Sequence, residues 1–195
     1  MRSISALPSG YREACRIDLI HNRRQCILVN ALSILIFVLL AVPVHLRISA
    51  WTLFDLSDGF LPYLLRFLVL LGGTVAYMVL HELTHGAVMH LCETKHVRYG
   101  FTGLYAFAGS SDYYGRLPYL CIALAPIVLF GILLALLCTV VPRSWFWVVY
   151  VFQLTNLSGA AGDLYVTVRM LRLPADLLVQ DSGTSMIVYT NENRL

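Results

Sequence analysis

The sequence predicts an all-α membrane protein of about four transmembrane helices, with a short β-hairpin in the connection between the second and the third. Three observations carry that reading. The 195 residues are 58% hydrophobic and only 13% charged, with a mean hydropathy of +0.73, whereas a soluble domain is about 45–50% apolar and about 25% charged. The apolar residues gather in four runs of the ~20 or more residues that a helix needs to cross hydrocarbon. Lysine and arginine alternate from one connecting segment to the next, as the positive-inside rule requires. The length is that of one domain, 1–195, and no repeat or low-complexity segment divides it. The net charge of +3 is too small for a nucleic-acid surface, and no basic helix carries interleaved aromatics.

Residues 1–25 are polar and carry Arg2, Arg12, Arg16, Arg23 and Arg24, the composition of a cytoplasmic segment anchored on anionic lipid. The run 26–46, CILVNALSILIFVLLAVPVHL, is the first span; its apolar core is too long and begins too late for a secretory signal. A short loop with Asp55 and Asp58 leads to the second span, 60–91, in which Arg66 sits near the outer end and can snorkel to the interface. The third span, 118–141, is interrupted by Pro126. The link VPRS joins it to the fourth, 145–171, which opens with an aromatic collar of Trp145, Phe146, Trp147 and Tyr150. The tail, 173–195, mixes apolar with turn residues and is expected to pack under the site as a strand. Cysteines 15, 26, 92, 121 and 138 form no CxxC pair and read as small buried thiols of a reducing compartment.

The flanking cations set the orientation. Five arginines precede the first span, Arg47 alone lies in 47–60, Lys95, Arg98 and Arg116 lie in 92–117, Arg143 alone lies in 142–144, and Arg169, Arg172 and Arg194 lie in or near the tail. Both termini and the connection 92–117 are therefore expected in the cytoplasm. Within that connection Val97, Tyr99 and Phe101 alternate with Arg98, Gly100 and Thr102, a period of two. Gly103 can turn the chain and Leu104 to Ala108 can return as a second strand. The open edge of such a hairpin can hold an extended peptide by strand addition, which makes Tyr99, Phe101 and Tyr105 the expected substrate contacts.

The chemistry concentrates in MVLHELTHGAVMH, 78–90. His81, Glu82 and His85 form H-E-x-x-H, and histidines at i and i+4 project from one helix face, one turn apart. Two imidazoles so placed can hold one zinc ion, and Glu82 beside them can take a proton from a water at the metal. Ionisable groups at membrane depth cost about 2.5–3.5 kcal/mol each and are kept where they pair or bind something. His90 lies five residues beyond His85 and faces elsewhere.

A catalytic zinc takes three protein ligands and leaves a position for water. The acidic residues within the apolar runs are Glu82 and Asp163, which makes Asp163 the expected third ligand. By a 1.5 Å rise, His81 lies roughly 15 Å and Asp163 roughly 9 Å from the cytoplasmic ends of their spans, compatible depths. Asn156, Gly159 and Asp163 share one helical face, and the small residues 158–162 let helices approach closely. Asn156 is expected to hydrogen-bond a substrate backbone or help polarise its carbonyl.

HELTHG on one span and NLSGAAGD on a later one resemble the family named "putative zincin peptidase", bacterial membrane proteins of about this size. LAP at 124–126 and the tail DLLVQDSGTSMIVY extend the resemblance, which runs from about 60 to 190. More distantly the two motifs are similar to the site-2 protease class of intramembrane metalloproteases, whose second motif carries prolines and an Asp-Gly; here Asp163 is followed by Leu164. The resemblance implies a zinc-dependent intramembrane peptidase of the bacterial cell membrane, acting on membrane-protein or peptide substrates. A membrane scaffold or regulator that retains a zinc site would carry the same residues. A di-iron lipid hydroxylase would need several histidine clusters, and this chain has one HxxxH pair.

Overall fold

The structure, a computed structural model, describes residues 2–18, 21–103 and 106–191. The elements in chain order are β1 (Tyr11–Asp18), α1 (Arg23–Arg47), a short 3-10 turn (Ala50–Phe54), α2 (Phe60–Leu91), β2 (Val97–Phe101), β3 (Ala106–Ser110) and β4 (Tyr113–Gly115). Then come α3 (Arg116–Val140), α4 (Arg143–Gly159), α5 (Ala161–Leu171), β5 (Leu178–Asp181) and β6 (Ser185–Asn191). Among the described residues three helices, α1, α2 and α3, are long and apolar enough to cross a membrane.

The expected fourth span, 145–171, is two helices. The chain leaves α-geometry at Ala160, whose N–H bonds the Ser158 carbonyl, and restarts at Ala161. The local sequence explains the break. Gly159 and Gly162 bracket it, each a weak helix former, and the Ser158 hydroxyl donates to the Leu154 carbonyl at 2.7 Å, the back-bond that bends helices. The break puts Asp163 in the first turn of α5, where the positive end of the helix dipole favours a carboxylate.

The chain divides into two compact units: Met1–Val29 with His81–Ala125 and Gly162–Leu195, and Asn30–Leu80 with Pro126–Ala161. The second unit is helical. In it the Tyr77 hydroxyl donates to Asn156 Oδ1 at 2.7 Å, and Asn156 Nδ2 donates to the Ile127 carbonyl at 3.1 Å, tying α2, α3 and α4 together. A Cβ on Gly73 would lie 2.5 Å from Phe152 Cζ, so the glycine admits that ring against α2. Arg66 does not snorkel. It is 1% exposed and turns inward to donate to the Asp55 carbonyl and to Asp58, because a guanidinium finds fixed acceptors in the turn beside it. Trp147 of the expected collar is likewise buried and donates to the Ile48 carbonyl at 3.0 Å.

The other unit corrects the all-α expectation. It contains an antiparallel four-stranded sheet in the order β1-β6-β5-β4 and a separate β2–β3 pair. The arginine-rich N-terminal segment thus supplies a strand, β1, which pairs with β6 from Tyr11↔Asn191 to Asp18↔Ser185. Alternation along β6 buries Met186, Val188 and Thr190 and leaves their neighbours half-buried. The inner face packs Tyr114, Val179 and Val188, each 0% exposed, with Met89 and Cys92 of α2, Ile122 of α3 and Met170 of α5. That core fixes the ends of the three helices that carry the candidate site.

Candidate metal centre

His81 and His85 lie one turn apart on α2, and their Nε2 atoms are 3.2 Å apart. Asp163 Oδ2, from the first turn of α5, lies 3.6 Å from His81 Nε2 and 3.8 Å from His85 Nε2. Among the described residues these three form the group of side chains able to share one metal ion, one donor atom from each lying within 4.8 Å of the others.

The donor chemistry fits zinc. His85 Nδ1 is 2.8 Å from the Ile122 carbonyl, which can only accept, so Nδ1 carries the ring proton and Nε2 presents a lone pair to the cluster. Four donors at zinc–ligand distances of about 2.0–2.1 Å sit roughly 3.3–3.4 Å from one another in a tetrahedron. The three observed separations bracket that spacing. Two imidazoles and one carboxylate would leave a fourth position on zinc for water, the donor count of catalytic rather than structural zinc sites.

The Ile122 carbonyl is free to serve His85 for a reason legible in the chain. In an α-helix that carbonyl would accept the N–H of residue 126, and residue 126 is Pro126, which has none. The proline expected to interrupt the third span sits inside α3 instead, and the acceptor it releases fixes the orientation of a ligand. Outer partners of this kind set the tautomer and basicity of metal-bound imidazoles.

Glu82 is half-buried beside the two histidines, and the backbone N–H of Ala108 on β3 donates to its carboxylate. The β2–β3 pair, in register from Val97↔Ser110 to Phe101↔Ala106, is seated by glycines on both sides. A Cβ on Gly86, the residue after His85, would lie 1.9 Å from the Tyr99 hydroxyl, so the Tyr99 ring end rests directly on α2 at the metal-ligand turn. A Cβ on Gly109 would lie 2.3 Å from the Ser182 carbonyl carbon and 2.4 Å from Gly183 N, so β3 abuts the β5–β6 turn backbone to backbone. That turn is itself pinned: the Asp181 carboxylate accepts the Gly183 N–H at 2.8 Å and the Tyr119 hydroxyl of α3. Burial pushes the Asp181 carboxyl above its ordinary range, against the pull of those two donors.

His81, Glu82, His85 and Asp163 therefore come together within one unit. Asn156 belongs to the helical unit, where both of its polar side-chain atoms are engaged. Tyr99 packs on Gly86 while remaining 46% exposed, and Phe101 is 64% exposed. Tyr105 lies outside the described residues. The reading of side chains alone missed the backbone partners: the Ile122 carbonyl, marked in sequence by a proline four residues on, and the Ala108 N–H, for which the sequence offers no mark.

Three membrane-length helices and an H-E-x-x-H helix that meets a carboxylate from another helix are what a zincin-type metal centre on a chain with candidate membrane spans requires. The comparison with known families agrees: the model of the family described as "Putative zincin peptidase" matches residues 74–178, more than half of the chain, and the chain belongs to that family. The matched segment contains all four clustered residues and both strands of the β2–β3 pair. No curated protein and no solved structure matches the chain significantly.

Proposed function

We propose that the protein is a zinc-dependent intramembrane peptidase that hydrolyses peptide bonds of membrane-associated protein substrates, in the manner of the site-2 protease class. The observation that carries the reading is the convergence of His81 Nε2, His85 Nε2 and Asp163 Oδ2 beside Glu82. His81, His85 and Asp163 would hold the zinc ion. When bound, zinc supplies Lewis acidity and lowers the pKa of water toward about 7. Glu82 takes the proton of the attacking water and returns it to the leaving amine. The Ala108 N–H holds the Glu82 carboxylate in place for both transfers, and the Ile122 carbonyl holds the His85 ring. Tyr99 and Phe101, on β2, line the edge that receives the substrate as an added extended strand, the conformation that exposes a scissile carbonyl. Asn156 ties α2, α3 and α4 through its two side-chain hydrogen bonds. The α4–α5 pair completes a fourth crossing, broken at Ala160, and both termini face the cytoplasm of a bacterial cell.

Metal analysis of the purified protein combined with cleavage of a membrane-embedded peptide tests the proposal. The expected result is one zinc per chain in the wild type and in Glu82→Gln, with cleavage in the wild type alone. Zinc without cleavage of any membrane peptide would assign the site to a regulator, and equal cleavage by Glu82→Gln would remove the base from the mechanism.

A further inference from the structure

The proposed chemistry gives no role to Asp181, a half-buried carboxylate at the end of β5 that lies close enough to His85 and Asp163 to interact electrostatically with both. Its two oxygens are divided between two elements. Oδ1 accepts the Gly183 N–H at 2.8 Å, and Oδ2 accepts the Tyr119 hydroxyl. One side chain therefore joins the β5–β6 turn to α3, and each branch leads to a different part of the centre. Tyr119 and Ile122 lie one turn apart on α3, both buried in the same core, and residues at i and i+3 share a helix face. The Ile122 carbonyl accepts from His85 Nδ1 at 2.8 Å. The bond from Tyr119 thus anchors the turn of α3 that orients a proposed ligand.

The other branch runs through the turn. The Ser182 N–H and hydroxyl both donate to the Ser185 carbonyl, at 3.0 and 2.8 Å. Gly183 takes a φ of 87°, which a glycine adopts without strain. Phe107 and Gly109, the residues on either side of Ala108, both rest on this turn. A Cβ on Gly183 would lie 2.2 Å from Phe107 Cδ2, and a Cβ on Gly109 would meet the Ser182 and Gly183 backbone. The Phe107 ring also covers Gly100, its partner in register on β2. The turn therefore brackets the residue whose backbone N–H donates to Glu82.

We propose that Asp181 is a positioning residue for the metal centre: through Tyr119 and α3 it sets the His85 ring, and through Gly183 and β3 it sets the Glu82 carboxylate. The inference deepens the peptidase reading, from which it takes the roles of His85 and Glu82. Removing the carboxylate leaves two donors without their acceptor and loosens ligand and base together, whereas a loss on one branch loosens one of them. Asp181→Ala, Asp181→Asn and Tyr119→Phe are compared with the full-length wild type in detergent. Zinc affinity is read against a chromogenic chelator, and exchange of the Ala108 and Ala123 amides is read in the metal-free, alanine-labelled protein. Asp181→Ala is expected to lower zinc affinity about tenfold, the lower end of the range for a lost outer partner. It should quicken Ala108 exchange about tenfold, the weight of one hydrogen bond, and leave Ala123, inside α3, as in the wild type. Tyr119→Phe cuts the α3 branch alone, so zinc affinity falls about fivefold while Ala108 exchange stays within about twofold of the wild type. Asp181→Asn keeps both readouts, because its amide can accept from Gly183 and donate to the Tyr119 hydroxyl oxygen. Wild-type values of both readouts in a folded Asp181→Ala variant would overturn the proposal. An Asp181→Asn variant as impaired as Asp181→Ala would assign the effect to charge instead, and Ala123 exchange rising in step with Ala108 would assign it to general packing. Should Asp181→Ala fail to fold, unchanged zinc affinity in Tyr119→Phe is enough to overturn it. Neither readout needs turnover, so a wild type that binds zinc and cleaves nothing removes the peptidase reading while both branches are still decided.

Discussion

Replacing Pro126 by alanine should push stability and metal affinity in opposite directions. The proline lies inside α3, where a prolyl residue costs roughly 3 kcal/mol relative to alanine in an unsupported helix interior. Membrane helices recover part of that cost because other groups take up the freed backbone acceptor, and here His85 Nδ1 takes up the Ile122 carbonyl at 2.8 Å. Alanine restores an N–H aimed at the same carbonyl. The helix gains its missing bond, and the metal-free protein should unfold at a higher temperature, by about 1–2 kcal/mol once the lost ligand contact is allowed for. His85 then shares its acceptor with a backbone donor that sits closer by geometry. Loss of an outer partner of a metal-bound imidazole lowers affinity about 10–100-fold, and a shared carbonyl, with two lone pairs, belongs at the lower end, about tenfold. Thermal unfolding of the chelated protein and competitive zinc titration with a chromogenic chelator read the two quantities separately. Zinc affinity equal to or above that of the wild type, in a folded variant, would refute the link from Pro126 through Ile122 to His85.

Other substitutions separate the parts of the site. Asp163→Ala should lower zinc affinity by more than about a hundredfold, beyond what loss of an outer partner costs, and undiminished affinity would exclude Asp163 as a ligand. Gly109→Ala places a Cβ within 2.3–2.4 Å of the Ser182 and Gly183 backbone, which cannot swing aside as a side chain does. The overpacking should cost about 2–3 kcal/mol, or roughly 5–10 °C in thermal midpoint at this chain length. Amide exchange should quicken across 106–110 while zinc stays bound, since β3 supplies no ligand; a wild-type midpoint would refute the contact. Asp181→Asn should stabilise the protein at neutral pH. Because burial raises the folded-state pKa of Asp181, its favourable contribution is complete below the unfolded carboxylate range near 3.8 and is lost as pH rises through the folded value. The advantage of asparagine should therefore grow as pH rises from about 4, and a gain independent of pH would show that Asp181 is not the group titrating.

What the sequence revealed and what it hid follow from the range over which each signal acts. H-E-x-x-H is a spacing within one turn of helix, so His81, Glu82 and His85 could be read without knowledge of the fold. Asp163 followed because acidic residues are scarce in apolar runs, and its place at the start of α5 was foreshadowed by the small-residue run 158–162, although that run also broke the helix expected to continue through it. Of the four-stranded sheet only the tail was expected as a strand, and it forms β5 and β6; the rest was hidden because its strands are three to eight residues long and its widest pairing joins β1 to β6, near opposite ends of the chain. No window of periodicity spans that distance, and the arginines of the first segment made it look like a surface anchor alone. The backbone partners fall between these cases. A carbonyl or N–H has no letter of its own in a sequence, and Ala108 illustrates the loss: its side chain says nothing about the hydrogen bond its amide makes to Glu82. Ile122 is different because a proline at i+4 leaves a vacancy in the helix ladder that must be filled from elsewhere when the helix is buried. In a membrane helix beside an H-E-x-x-H motif, a proline therefore does more than mark a kink: four residues before it lies a released carbonyl, and here that carbonyl orients the second histidine.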